Sequence, residues 1–256
     1  MDTVLLSLYL LVACATLWLK RLNLRHFKEK GRKVPTGFEG SFDAETLRRS
    51  LSYALDTSRL DALGLLIDCA LVILLLFGGL LAVYDRWIAS LTSSVILAGV
   101  LFFLGLLWAE TVIGLPFSFY RNFRIEARYG FNRMTGRIWL ADLGKSMLIA
   151  SFLTVTLAGA ALVLIRWSPG GWWLWLWGFF VVFSLVIMYL SPYVIEPLFF
   201  TFKPIQAGGV EAEIRRLMER AGLWVDRVFQ VDASKRSRHS NAYFSGIGRV
   251  RRIVLF

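Results

Sequence analysis

Apolar residues run in five long blocks, at about 3–19, 62–84, 91–113, 146–166 and 172–190, and charge returns between them. At a rise of 1.5 Å per residue, each block is long enough to cross roughly 30 Å of hydrocarbon as a helix. None alternates with the two-residue period of a barrel strand. Backbone polar groups in lipid must be satisfied within their own segment, so the blocks are predicted to be helices. After Pro204 the pattern changes. Val210, Ile214, Leu217, Met218 and Ala221 recur at helical spacing, with Gly222 placed as the stop. Residues 228–232 read as a short strand, and 241–245 and 250–256 as two strands around a turn at 246–249. The predicted fold class is mainly α: a polytopic membrane protein with about five transmembrane helices, followed by the start of a small α+β soluble segment of one helix and a β-hairpin. Residues 1–204 make the five-span domain with two cytoplasmic loops, and 205–256 the soluble part. The last strand is expected to leave an open sheet edge.

Composition agrees with a membrane class. Hydrophobic residues make up 57% of the 256 and charged residues only 18%, below the usual quarter. The net charge of +11 raises the question of nucleic acid. Its distribution points elsewhere. Ten Lys and Arg lie between Lys20 and Arg59, six between Arg121 and Lys145, and eleven from Lys203 to Arg252, while the two short loops hold only Arg86 and Arg166. That asymmetry is the positive-inside pattern. It predicts an outside or lumenal N-terminus, cytoplasmic long loops and a cytoplasmic C-terminus. The partner it implies is the lipid bilayer, not nucleic acid. The block at 3–19 has no basic residue before it and is followed by Lys20 and Arg21, so it reads as a retained anchor rather than a cleaved signal. Trp172, Trp173, Trp175 and Trp177 crowd the start of the fifth block as an interfacial belt. Cys14 and Cys69 lie in apolar runs with no metal or redox spacing and are expected to be buried small hydrophobes.

Few positions carry chemistry. Asp68 lies about two turns inside the second block, a costly depth for a carboxylate unless it faces a cavity or a partner. Glu110 lies nearer an edge. Residues 116–135 interleave aromatic and basic side chains as an interfacial amphipathic stretch. Pro192 and Pro197 are expected to end the fifth helix, beside a solvated or ion-paired Glu196. The densest polar string, 232–248, contains hydroxyls, His239 and Asn241 ahead of the hairpin. It has neither the order of a phosphate loop nor the Gly-x-Ser-x-Gly elbow of a serine hydrolase.

Together these segments resemble the type 1 CAAX prenyl protease family, integral-membrane zinc metallopeptidases. The resemblance rests on Ile125-Glu126 with Gly130-Phe131-Asn132 and Thr135, on Ser191-Pro192 with Glu196-Pro197-Leu198-Phe199, and on Ser234-Lys235-Arg236-Ser237 with His239-Ser240-Asn241-Ala242-Tyr243-Phe244, Gly246 and Gly248. It runs from Lys28 onward. It implies that 205–256 is an incomplete N-terminal part of the peptidase domain, and that Asp68 faces a water-filled chamber enclosed by the helices. It also implies that an extended peptide adds as a strand beside the hairpin, with Asn241, His239, Tyr243 and Phe244 as substrate-binding residues. An asparagine amide suits such a contact because it both donates and accepts.

In the family, the strand matching 251–256 is followed by a helix bearing His-Glu-x-x-His, and a glutamate further on completes the zinc site. Here the histidines are His26 and His239, too far apart to be that pair. A catalytic zinc takes about three protein ligands and a water. No catalytic residue and no metal ligand is therefore expected among these residues, zinc belongs to the complete family enzyme, and the chain is expected to be inactive as a truncated front part. The expected substrate is a peptide or protein, and the expected site is a bacterial inner membrane or the endoplasmic reticulum. The alternative class is a non-enzymatic membrane scaffold or lipid-binding protein.

Overall fold

The apolar blocks lie in helix, except at 77–79 and 92–94, in the computed structural model, which describes residues 2–31, 43–205, 208–222, 227–232, 234–238, 241–245 and 252–255. The chain divides into two compact units, Met1–Tyr129 and Gly130–Phe256.

The first unit contains α1 (Asp2–Lys30), α2 (Ala44–Leu76), α3 (Leu80–Leu91) and α4 (Val95–Tyr120), and α4 runs on into a π-helical turn, Arg121–Glu126. Asp43 starts α2 by accepting a 2.9 Å hydrogen bond from the Thr46 amide, the usual way an N-cap satisfies an orphan donor. The second block is not one straight rod. α2 and α3 meet at a 64° bend, where Gly79 takes a φ of 73°, a left-handed conformation that glycine adopts without steric penalty. The third block starts at Ser94, whose hydroxyl caps Leu97, and its helix continues through Pro116 to Glu126. Cys14 lies on the outer surface of α1 and Cys69 is half-buried, so neither is the fully buried hydrophobe expected. A first helix with few neighbours presents most of its surface outward.

The second unit opens with α5 (Gly136–Trp167) and α6 (Trp172–Leu190). The prolines do not end the fifth helix. It passes through a π-helical turn, Ser191–Ile195, into α7 (Glu196–Phe199) and stops only at Phe200. Pro192 lacks a donor and crowds the carbonyl one turn back; widening the turn relieves that crowding without breaking the rod. Among the described residues, four helices are long and apolar enough to cross a membrane on their own, and the bent α2–α3 pair brings the number to five.

A four-stranded sheet follows, built from β1 (Phe202–Pro204), β2 (Arg227–Val231), β3 (Ala242–Ser245) and β4 (Arg252–Leu255), in the order β1-β2-β4-β3. The expected hairpin is present: β3 pairs antiparallel with β4, Ala242 opposite Leu255 and Ser245 opposite Arg252. Its turn lies outside the described residues. β4 also pairs parallel with β2, so the last strand is interior rather than an open edge, and β1 and β3 are the edges. β1 has three residues and ends in proline, too short to register as a strand pattern. α8 (Gly209–Arg220) covers one face, where Ile214 and Met218 meet Val228 and Ile253. Only the middle of its apolar stripe packs, since Val210 and Leu217 remain exposed. On the other face Val231 and Val254 are buried under Phe200, Phe202, Phe229 and Tyr243.

Candidate functional site

Along β4, Arg252 shares a face with Val254, which is completely buried. A guanidinium there needs compensation, and the end of the fifth span supplies it. Arg252 Nη2 donates 2.8 Å to Glu196 Oε2 and 2.7 Å to the Pro192 carbonyl. The rings of Phe202, Tyr193 and Phe229 lie 5.0, 5.7 and 5.9 Å from the guanidinium carbon, within range for cation–π attraction. From the neighbouring strand, Tyr243 Oη donates 2.8 Å to the same Glu196 Oε2. Burial, then the hydrogen bond to Glu196 and its charge, push the Tyr243 pKa well above the ordinary tyrosine value. One carboxylate on α7 thus holds both strands of the hairpin. Pro192 is buried, and the π-helical turn around it directs its carbonyl to Arg252.

A second clamp holds the segment before the hairpin. Arg236 makes a two-pronged contact with Asp142 on α5, at 2.7 and 3.0 Å, the geometry in which a guanidinium binds a carboxylate best. That contact raises the Arg236 pKa further. The Arg236 guanidinium also lies 5.1 Å from the Phe200 ring centre. The backbone around it pairs like a strand: the Arg238 amide donates 2.9 Å to the Phe131 carbonyl and the Arg133 amide 3.1 Å to the Arg236 carbonyl. Asn132 and Ser237 form the antiparallel bridge between them. The motif residues Gly130-Phe131-Asn132 and Ser234-Lys235-Arg236-Ser237 therefore meet in space.

Of the predicted site residues, Asn241 is exposed just before β3, and its Oδ1 accepts 2.9 Å from the Ala242 amide. Tyr243 faces inward to Glu196. Phe244 is the third residue of β3, opposite Ile253. His239 lies outside the described residues. Asp68 is exposed on α2. Sequence reasoning did not single out Arg252 and Asp142. The available signal is an arginine two positions from a core valine in a short strand, which demands a nearby carboxylate.

Among the described residues no three His, Cys, Asp or Glu side chains come together as a metal site.

Residues 23–201 match the family model described as CAAX prenyl protease N-terminal, five membrane helices, and residues 204–256 match Peptidase family M48. CAAX prenyl protease 1 of Saccharomyces cerevisiae is 31% identical over 235 residues, covering 88% of this chain and 52% of that protein. The CAAX prenyl protease 1 homolog of Oryza sativa is 33% identical over 238 residues, covering 87% and 54%. The crystal structure of S. mikatae Ste24p superimposes with a TM-score of 0.81 at 27% identity, covering 98% of this chain and 59% of that one. The chain spans about half the length of the curated relatives it matches.

Proposed function

Because the chain belongs to the CAAX prenyl protease family, we propose that its residues form the membrane and pre-catalytic part of a zinc metalloendopeptidase acting on membrane-associated or prenylated peptides. It is a multi-pass integral membrane protein. In this reading the N-terminus is outside or lumenal and the soluble segment cytoplasmic, supported by the concentration of Lys and Arg in the long loops. The zinc ligands and general base are not among these residues, so the 256-residue chain has no peptidase activity by itself. Its two histidines, His26 and His239, are too far apart in sequence to be the helical His-Glu-x-x-His pair. Asp68 faces the chamber that the family's helices enclose.

The observation that carries this reading is the side of β3 that pairs with no other strand among the described residues. β3 is an edge strand whose partner strand is tied to the end of the fifth span through Arg252 and Glu196. A strand edge held this firmly can pair with an extended peptide backbone without itself being deformed. Asn241 reads the peptide at the start of that edge and Tyr243 fixes the strand from behind, with His239 and Phe244 as the other substrate-binding residues of this reading. The test uses the chain extended through the family's His-Glu-x-x-His helix and the downstream glutamate that completes its zinc site. Asn241→Ala is expected to raise KM for a farnesylated peptide about tenfold, as losing one or two hydrogen bonds does, with a smaller change in kcat. An unchanged KM overturns the assignment of Asn241.

A further inference from the structure

The first unit holds a cavity that plays no part in the proposed peptide contact. It measures about 1040 Å³ and lies between α2 and the end of α4. Its lining divides into two parts. Leu63 and Phe117 belong to the apolar stretches of α2 and α4, whereas Arg59 comes from the charged N-terminal half of α2 and Arg124 and Arg128 from the segment that follows α4. The two helices change from apolar to charged at the same level, where Arg121 is ion-paired to Asp61. The cavity therefore straddles the boundary between hydrocarbon and headgroup region, with apolar walls on one side and arginines on the other.

The arginines are not fully neutralised. Asp56 is the acidic residue of the lining, and it already accepts from Arg128 at 3.0 Å and from the Tyr129 hydroxyl at 2.9 Å. Arg59 reaches Asp56 only at 3.7 Å and is 75% exposed. Arg124 is exposed, with no acidic partner among the described residues. The widened turn Arg121–Glu126 buries Ile125 and leaves its neighbour Arg124 facing the cavity. Three guanidiniums to one shared carboxylate leave a net positive mouth over an apolar wall.

We propose that this cavity binds an anionic phospholipid, its phosphate between Arg59, Arg124 and Arg128 and the upper part of an acyl chain against Leu63 and Phe117. The charge selects an anion, and guanidiniums recognise phosphate oxygens in pairs. The apolar wall and its level select an amphiphile over a soluble anion, and a basic pocket between membrane helices is the kind of site that holds such headgroups. The volume, at the upper end of the roughly 300–1,000 Å³ of small-molecule sites, accommodates a headgroup with part of its chains.

The test is native mass spectrometry of the 256-residue chain in detergent, titrated with phosphatidylglycerol, phosphatidylcholine or glycerol 3-phosphate. One phosphatidylglycerol is expected to bind at least about tenfold more tightly than phosphatidylcholine, with no competition from glycerol 3-phosphate. Arg59→Gln with Arg124→Gln is expected to weaken it about tenfold, leaving Asp56 with its Arg128 and Tyr129 bonds. Arg86→Gln, outside the cavity, is expected to change nothing. Equal retention of the two lipids overturns the proposal, as does an effect of Arg86→Gln equal to that of the double variant. Competition by glycerol 3-phosphate makes the site one for a soluble phosphate and overturns the lipid assignment. If the double variant does not fold, the three-ligand comparison on the unaltered chain decides alone.

Discussion

Glu196 Oε2 receives both the Tyr243 hydroxyl and the Arg252 guanidinium at 2.8 Å, so one carboxylate at the end of a membrane span fastens two strands of the sheet. Arg252 is 12% exposed and Glu196 22%, too dry for either charge to stand alone without cost. Glu196→Ala is expected to destabilise the second unit by about 2–3 kcal/mol, because it strands the guanidinium. Glu196→Gln, which keeps an acceptor, is expected to cost about half as much, and Tyr243→Phe about 1 kcal/mol. Thermal unfolding in detergent ranks the three, and an Ala variant as stable as the parent removes Glu196 from its anchoring role.

The raised Tyr243 pKa sets a pH dependence. The folded state holds this proton more tightly than the unfolded chain, whose tyrosines titrate near about 10. Its stabilisation is therefore complete below about pH 10 and is lost as pH climbs from there toward the folded value. Tyr243→Phe is expected to flatten the alkaline fall in stability relative to the parent. Identical slopes between about pH 9 and 11 contradict the assignment.

The Asp142–Arg236 contact joins α5 to the strand-like segment before the hairpin. Arg236→Lys keeps the charge but loses the fork, and is expected to cost about 1 kcal/mol; Asp142→Ala is expected to cost about 2–3 kcal/mol. Limited proteolysis within 232–240 should quicken in the same order. No change in cleavage rate for either variant rules the clamp out.

Gly222 closes α8 with a φ of 69°, and among the described residues no atom beyond its chain neighbours lies within 4 Å of where a Cβ would stand. Only backbone strain should therefore resist substitution. Gly222→Ala is expected to cost about 1 kcal/mol and Gly222→Asn less, since asparagine tolerates the left-handed region. Equal melting temperatures for all three forms exclude that strain.

Much of this architecture is legible in the sequence because long apolar blocks in lipid leave the backbone few choices. The helix boundaries are less so. Gly78-Gly79 reads as a passage within one span, and the 64° bend there depends on how α2 and α3 pack. Pro192 reads as a stop, yet a wider turn absorbs it, and this choice follows from the Arg252 contact with its carbonyl rather than from local propensity. Strand β1 is invisible in the sequence because three residues gain their ladder only from β2. The hairpin itself is readable from its turn glycines and alternating residues. Its anchor is not, because Glu196 and Arg252 are 56 positions apart and nothing local links them.

These residues are proposed to be the membrane and pre-catalytic part of a metallopeptidase. A direct measurement is zinc content and farnesyl-peptide cleavage by the purified 256-residue chain, beside the same chain extended through the family's His-Glu-x-x-His helix and the downstream glutamate that completes its zinc site. One zinc per chain and cleavage are expected for the extended protein alone. Stoichiometric zinc and cleavage by the 256-residue chain contradict it, and would require a ligand set that includes residues other than those the family uses.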